Sequence, residues 1–300
     1  MSTHQTAKTQ YVDTTHGTKF AYRRLGTSSG TPLVVLTHFR GVMDKFDPLL
    51  INTLAASRTV ITVDYAGVGL STGEVATTVK QSADDILEFL HLIGETEVDV
   101  LGFSLGGMVA QLIALNADPA RVRVRKLILA GTTPSAGAGI VESPHDDVGT
   151  WAGTQNVSIV VFQTLFFPKS REGAAASRQW WDRLNERSAA TSGEESATWL
   201  SEGFHDGGKG LQAQGAQIGS WGSLEASEGL DGSFARLATL KIPVFVANGH
   251  DDYMVPTVNS FVLQQQVPNG QLIVYPNSGH GFLFQYVALF AQHTLLFLEA

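Results

Sequence analysis

Ser104 stands in Gly102-Phe103-Ser104-Leu105-Gly106-Gly107, where one apolar run ends before another begins. A serine hydroxyl becomes a nucleophile only when a base can take its proton and when it stands clear of the backbone. A tight strand-to-helix turn meets the second need. Such a turn crowds the positions two before and two after the serine, where Gly102 and Gly106 carry no side chain. The base this chemistry calls for is an imidazole, able to accept the proton and return it to a leaving group. Of nine histidines, His280 lies between glycines in PNSGHGF, a loop after the last apolar run. His4, His16, His91, His145, His205 and His293 fall on tails, helices or a middle insertion, where solvated or packing roles dominate. A carboxylate to fix the imidazole tautomer is offered by Asp251 and Asp252, beside His250 in NGHDDYMVP, and residue propensity does not separate the two.

The elements that must position these groups are legible as short, nearly continuous apolar runs. They are 33–37 (LVVLT), 59–63 (TVITV), 98–101 (VDVL), 126–130 (KLILA), 243–247 (PVFVA) and 271–275 (QLIVY). Runs of that kind are buried parallel strands. Val79, Ala83, Ile86, Leu87, Leu90 and Ile93 fall on one helical face that stops at Gly94, and Val287, Phe290, Ala291, Thr294 and Leu298 repeat the pattern. Leu105 opens a further helix, whose N-terminal dipole favours negative charge developing near Ser104. Alternating strands and helices predict an α/β domain with a mostly parallel central sheet flanked by helices. The alternation breaks after KLILA, in a Gly-, Ser- and Ala-rich stretch that holds all five tryptophans and no convincing strand. The expected division is a core of residues 1–132 and 239–300 with a helical insertion over 133–238. Its densest aromatic patch, 162–167 (FQTLFF), reads either as the insertion's own packing surface or as the wall of a ligand cavity.

In these features the sequence resembles the α/β-hydrolase superfamily, over roughly residues 18–132 and 239–298, with the insertion in the place of that family's cap. The family's acid commonly stands in G-x-x-D-x-x-x-P. Gly249, Asp252 and Pro256 match that spacing, so the resemblance selects Asp252 over Asp251, and Gly131-Thr132-Thr133 after KLILA offers no carboxylate. Asp64, in DYAGVGLS, looks like the family's D-x-x-G-x-G-x-S turn, which implies a structural role. Family members often carry His-Gly-x after the third strand, with x and the residue after the nucleophile supplying two oxyanion-binding amides. Here the stretch is His38-Phe39-Arg40-Gly41, which by position implies Arg40 and Leu105, with Phe39 as the fallback because phenylalanine replaces the glycine. The wider stretch THFRGVMDKFDP is similar to a subgroup of esterases, lactonases and cofactor-free haloperoxidase-like perhydrolases. The resemblance implies a serine esterase or lactonase with Ser104, Asp252 and His280 as catalytic triad and no metal or organic cofactor. The substrate is expected to be small and apolar, met by His38, Phe39, Phe166 and Trp181. Arg40 carries an alternative expectation, a guanidinium that grips a substrate carboxylate in two-point fashion.

Composition narrows the field. A formal charge of −8 leaves no basic footprint for a polyanion, so nucleic acid is not an expected partner. There is no cysteine, hence neither disulfide nor thiolate metal site. The opening MSTHQTAKTQ lacks the apolar core of a secretory signal, and no run reaches the about 18 apolar residues of a membrane span, so a cytoplasmic protein is expected. A homodimer stays open. Two rivals share the same residues: a ligand receptor on a hydrolase scaffold, and an enzyme using the triad for acyl transfer, perhydrolysis, or a lyase or cyclisation step.

Overall fold

A computed structural model describes residues 2–26 and 30–300. Its strands are β1 (Gln10–Asp13), β2 (Lys19–Leu25), β3 (Leu33–Leu36), β4 (Val60–Val63), β5 (Glu97–Phe103), β6 (Arg123–Ala130), β7 (Val244–Gly249) and β8 (Gly270–Tyr275). They form one eight-stranded sheet in the order β1-β2-β4-β3-β5-β6-β7-β8. β1 pairs with β2 and β2 with β4 antiparallel, and every other neighbouring pair is parallel. All six apolar runs lie in this sheet, and the adjacent strands β3 and β4 are buried along their whole length. The β1–β2 hairpin has no counterpart among those runs. Its second strand reads KFAYRRL, and the arginine at its middle, Arg23, is fully buried against Asp44. A buried charge leaves no apolar signature.

Helices cover both faces. α1 (Pro48–Ala55) starts where Asp47 accepts from the Leu49 N–H, and α2 (Val79–Leu92) where Thr78 accepts from the Gln81 N–H. α3 (Leu105–Asn116) follows β5 directly. Between β6 and β7 come α4 (Val148–Ala152), α5 (Ile159–Leu165), α6 (Arg171–Arg183), α7 (Ala189–Ser192) and α8 (Lys209–Trp221), with no strand among them. α9 (Thr257–Gln266), α10 (Phe282–Gln285) and α11 (Val287–Glu299) complete the chain. α2 and α3 pack one face of the sheet, around Ile86, Phe89, Val109 and Ile113. α1 and α11 pack the other, around Leu50, Leu54, Phe290 and Leu298. Among the described residues no helix is long and apolar enough to cross a membrane.

The first residues are not a solvated tail. The His4 ring is fully buried, the His4 backbone N–H donates to Asn52 Oδ1 at 2.7 Å, and Arg187 donates to the carbonyls of His4, Gln5 and Ala7. Burial, then the Arg23 charge, lower the His4 pKa to about 3 from an ordinary 6.5. Between those two values the unfolded chain binds a proton that the folded chain refuses. Stability therefore falls as pH drops through that window, by up to about 1.4 kcal/mol per pH unit. Thermal melts taken from about pH 7 to about pH 4.5 should show a shallower loss of Tm in His4→Leu than in the wild type. Parallel losses would assign the acid sensitivity elsewhere.

Candidate active site

Ser104 sits between β5 and α3 with φ 57° and ψ −119°, a left-handed φ that a non-glycine residue adopts only when its surroundings impose it. The surroundings do. The Ser104 N–H donates to the Ala130 carbonyl at 2.9 Å, and its own carbonyl accepts from the Gly107 N–H and from Thr132 Oγ1, each at 2.9 Å. The turn is too tight for side chains on either side. A Cβ at Gly102 would lie 2.2 Å from the Gly106 carbonyl oxygen, and one at Gly106 would lie 2.4 Å from the Leu36 carbonyl oxygen. The spacing that singled out this serine is thus a packing requirement.

His280 and Asp252 meet beside it. His280 Nδ1 lies 2.7 Å from Asp252 Oδ2, both side chains being fully buried. Asp252 Oδ1 accepts from the Met254 and Val255 N–H groups, each at 2.8 Å, so the carboxylate is held at both oxygens. That geometry puts the proton on Nδ1 and leaves Nε2 free, with no hydrogen-bond partner among the described residues. Asp251 takes no part: it pairs with His250 at the exposed surface. Asp64 is also elsewhere, buried and accepting from the Met43 and Leu70 N–H groups, which ties the β3–α1 loop to the turn after β4.

Ser104 and His280 line one cavity of about 30 Å³, with His38, Phe39, Phe162, Leu165, Phe166 and Trp199 among its walls. Of the four residues expected to meet substrate, His38, Phe39 and Phe166 are there and Trp181 is not. Trp181 packs behind the wall, against Phe162 and Trp180. Phe162 and Trp199 take the place expected of it. Phe162 belongs to the aromatic patch at 162–167 and Trp199 is one of the insertion's five tryptophans, but which ring faces inward depends on the path of the insertion. His38 is walled by Phe103, Phe162, Phe166 and Trp199, and burial lowers its pKa to about 3. Its Nδ1 lies 2.9 Å from the Phe39 carbonyl and therefore donates to it, leaving a neutral ring. Among the described residues no three His, Asp or Glu side chains are grouped to hold a metal ion.

The two amides expected for an oxyanion fare differently. The Arg40 N–H donates to Gln214 Oε1 at 2.7 Å, so it is occupied from the side of the insertion. The Phe39 and Leu105 N–H groups have no protein acceptor among the described residues.

A model of the alpha/beta hydrolase fold matches residues 31–285. The chain belongs to the α/β-hydrolase family. It is 33% identical to an alpha/beta hydrolase fold protein from Chitinophaga pinensis, with a TM-score of 0.83 and all of both chains covered. It is also 26% identical to the dihydrolipoyllysine-residue acetyltransferase component of the acetoin cleaving system of Cupriavidus necator, over 90% of this chain and 64% of that protein. A third relative, the provisionally named carbamate hydrolase RutD of Azorhizobium caulinodans, is 24% identical over 85% of this chain and 86% of that protein.

In this α/β hydrolase the stretch THFRGVMDKFDP anchors the helical insertion by its charges. The Arg40 guanidinium, buried, donates to the carbonyls of Leu200 (2.9 Å), Thr154 (2.6 Å), Ala152 (3.3 Å) and Ser201 (3.3 Å), which leaves it no fork for a substrate carboxylate. The Arg40 carbonyl accepts from the Leu200 N–H. Asp44 pairs with Arg23 and Arg187 and accepts from the Ala197 N–H, while Asp47 holds Arg183 through two bonds of 2.9 and 2.7 Å. Removing the Arg40 side chain takes the donor from four carbonyls that are buried or half-buried. Arg40→Met should therefore cost about 2–4 kcal/mol in urea unfolding. A change below about 0.5 kcal/mol, the level of an ordinary surface substitution, would deny the clamp.

Proposed function

We propose that the protein is a serine hydrolase that cleaves a carboxylic ester or lactone of a small, apolar molecule through an acyl-enzyme. The observation that carries this reading is the bond between His280 Nδ1 and Asp252 Oδ2, which leaves Nε2 unpartnered in the same cavity as the strained Ser104. Ser104 and His280 Nε2 share no hydrogen bond, and such a contact often tightens only when substrate aligns it. Ser104 Oγ attacks the carbonyl carbon as its proton passes to His280 Nε2. Asp252 holds the tautomer and stabilises the imidazolium. The Phe39 and Leu105 amides, both free, hold the tetrahedral oxyanion. Collapse breaks the carbon–oxygen bond to the leaving alkoxide, which takes the proton back from Nε2. Water, deprotonated by the same nitrogen, then attacks the acyl carbon and releases the acid and Ser104.

Relatives whose names describe an acetyltransferase component and a carbamate hydrolase support chemistry at an acyl or carbamoyl carbon. The apolar walls favour an apolar acyl or alcohol group. In this reading the helical insertion acts as a cap that excludes water.

Turnover of a panel of p-nitrophenyl esters and lactones tests the assignment. Ser104→Ala should lower kcat by about 10⁴-fold or more, and Asp252→Asn by a comparable factor, while Asp251→Asn stays within about twofold of wild type. Full activity of Ser104→Ala would end the proposal. Stoichiometric labelling of Ser104 by a fluorophosphonate without turnover of any ester or lactone would replace it with a receptor.

A further inference from the structure

The cavity around Ser104 is too small for the substrate its chemistry calls for. At about 30 Å³ it holds one or two waters, whereas sites for small organic molecules run to about 300–1,000 Å³. One wall of it is Met254. Met254 is also a wall of a neighbouring groove of about 750 Å³. That groove is mostly apolar, with Met108, Ile140, Val141, Ile218, Trp221 and Leu224 among its walls and Glu142 its one charged residue. Three of these, Val141, Ile218 and Leu224, are among the large apolar side chains the fold leaves exposed. Met108 lies one turn beyond Ser104 on α3, so the groove runs alongside the nucleophile's own helix. The Met254 backbone is fixed by the bond from its N–H to Asp252 Oδ1, and the residue is half-buried. An unbranched side chain of this kind can change rotamer without disturbing the acid it adjoins.

We infer that Met254 is a gate between the two spaces and that the groove binds the apolar chain of the substrate while its carbonyl enters the cavity. The inference rests on the Ser104 reading and adds the substrate class: esters with a long hydrocarbon chain. A second groove, of about 570 Å³, meets the cavity at Leu165, but Lys169, His250, Asp251 and His145 line it. Phe167 and Val258 also line it, but these four ionisable groups make it the less favourable of the two for a hydrocarbon chain.

The test compares kcat/KM for p-nitrophenyl decanoate and acetate. Met254→Ala should raise the decanoate-to-acetate ratio about tenfold, and Ile218→Asp, which puts a charge in the groove, should lower it about tenfold. Val258→Asp, in the second groove and outside the cavity, should leave the ratio unchanged. A ratio that responds to Val258→Asp and not to Met254→Ala would overturn the gate. A readout free of catalysis separates this inference from the proposed function. Decanoate added to the Ser104→Ala protein should change tryptophan emission, and Trp221→Phe in that background should abolish the change. A wild type inactive on every ester, yet showing this signal, would remove the proposed function and keep the groove. No signal, or one that survives Trp221→Phe, would remove the groove.

Discussion

The backward turn at Ser104 is the constraint on which the site depends. Parallel strands in one sheet lie about 4.8 Å apart, so the ends of β5, β7 and β8, separated by β6 and by one another, span about 14 Å. A serine on an ordinary loop could not be met by groups from all three. The left-handed φ lifts Ser104 above the sheet, and the loop after β8 folds back over the end of β6 to bring His280 to it. What makes room there is Gly131, the residue directly after β6: a Cβ on it would sit 3.3 Å from the His280 ring.

The second constraint is electrostatic. Burying Arg40, Asp44 and Asp47 in one short loop is costly unless each charge is met, and each is met by the helical insertion. A charge without a partner in a dry interior costs far more than an apolar contact gains, so the pairs define one seating of the insertion and penalise others. That seating decides the site. It places Phe162, Phe166 and Trp199 as walls, it brings the Phe166 carbonyl to the Gly281 N–H beside His280 at 2.7 Å, and it occupies the Arg40 amide with Gln214.

Most of the frame was legible because the signals were local. Continuous apolar runs are what central parallel strands require, and a serine between glycines is what a tight turn requires. The losses share one cause: the partner that gives a residue its role comes from elsewhere in the chain. Arg23, within β2, lies in KFAYRRL, where no apolar run marks a strand, and its burial depends on Asp44. Arg40 sits at the family's position for an oxyanion amide, and nothing within ten residues announces that Gln214 will occupy it. Trp181 and Trp199 are equivalent in type, and only the path of the chain through α6 and onward to Trp199 decides that one backs the wall and the other forms it.

Two histidines line the cavity, and the surroundings of each fix its part. His38 meets no carboxylate; aromatic rings enclose it and its Nδ1 proton goes to the Phe39 carbonyl. A ring that takes a proton only near pH 3 is too weak a base to draw one from serine at neutral pH. Its neutrality serves a different end. A charged imidazole beside His280 would oppose the imidazolium of the mechanism proposed above, and burial without a counter-charge removes that opposition. The bond from His38 to the Phe39 carbonyl also stiffens the loop whose preceding amide, the Phe39 N–H, faces no protein acceptor among the described residues. On the proposed mechanism the same imidazole chemistry yields a relay at one position and an inert brace at the other, and the difference is a single carboxylate.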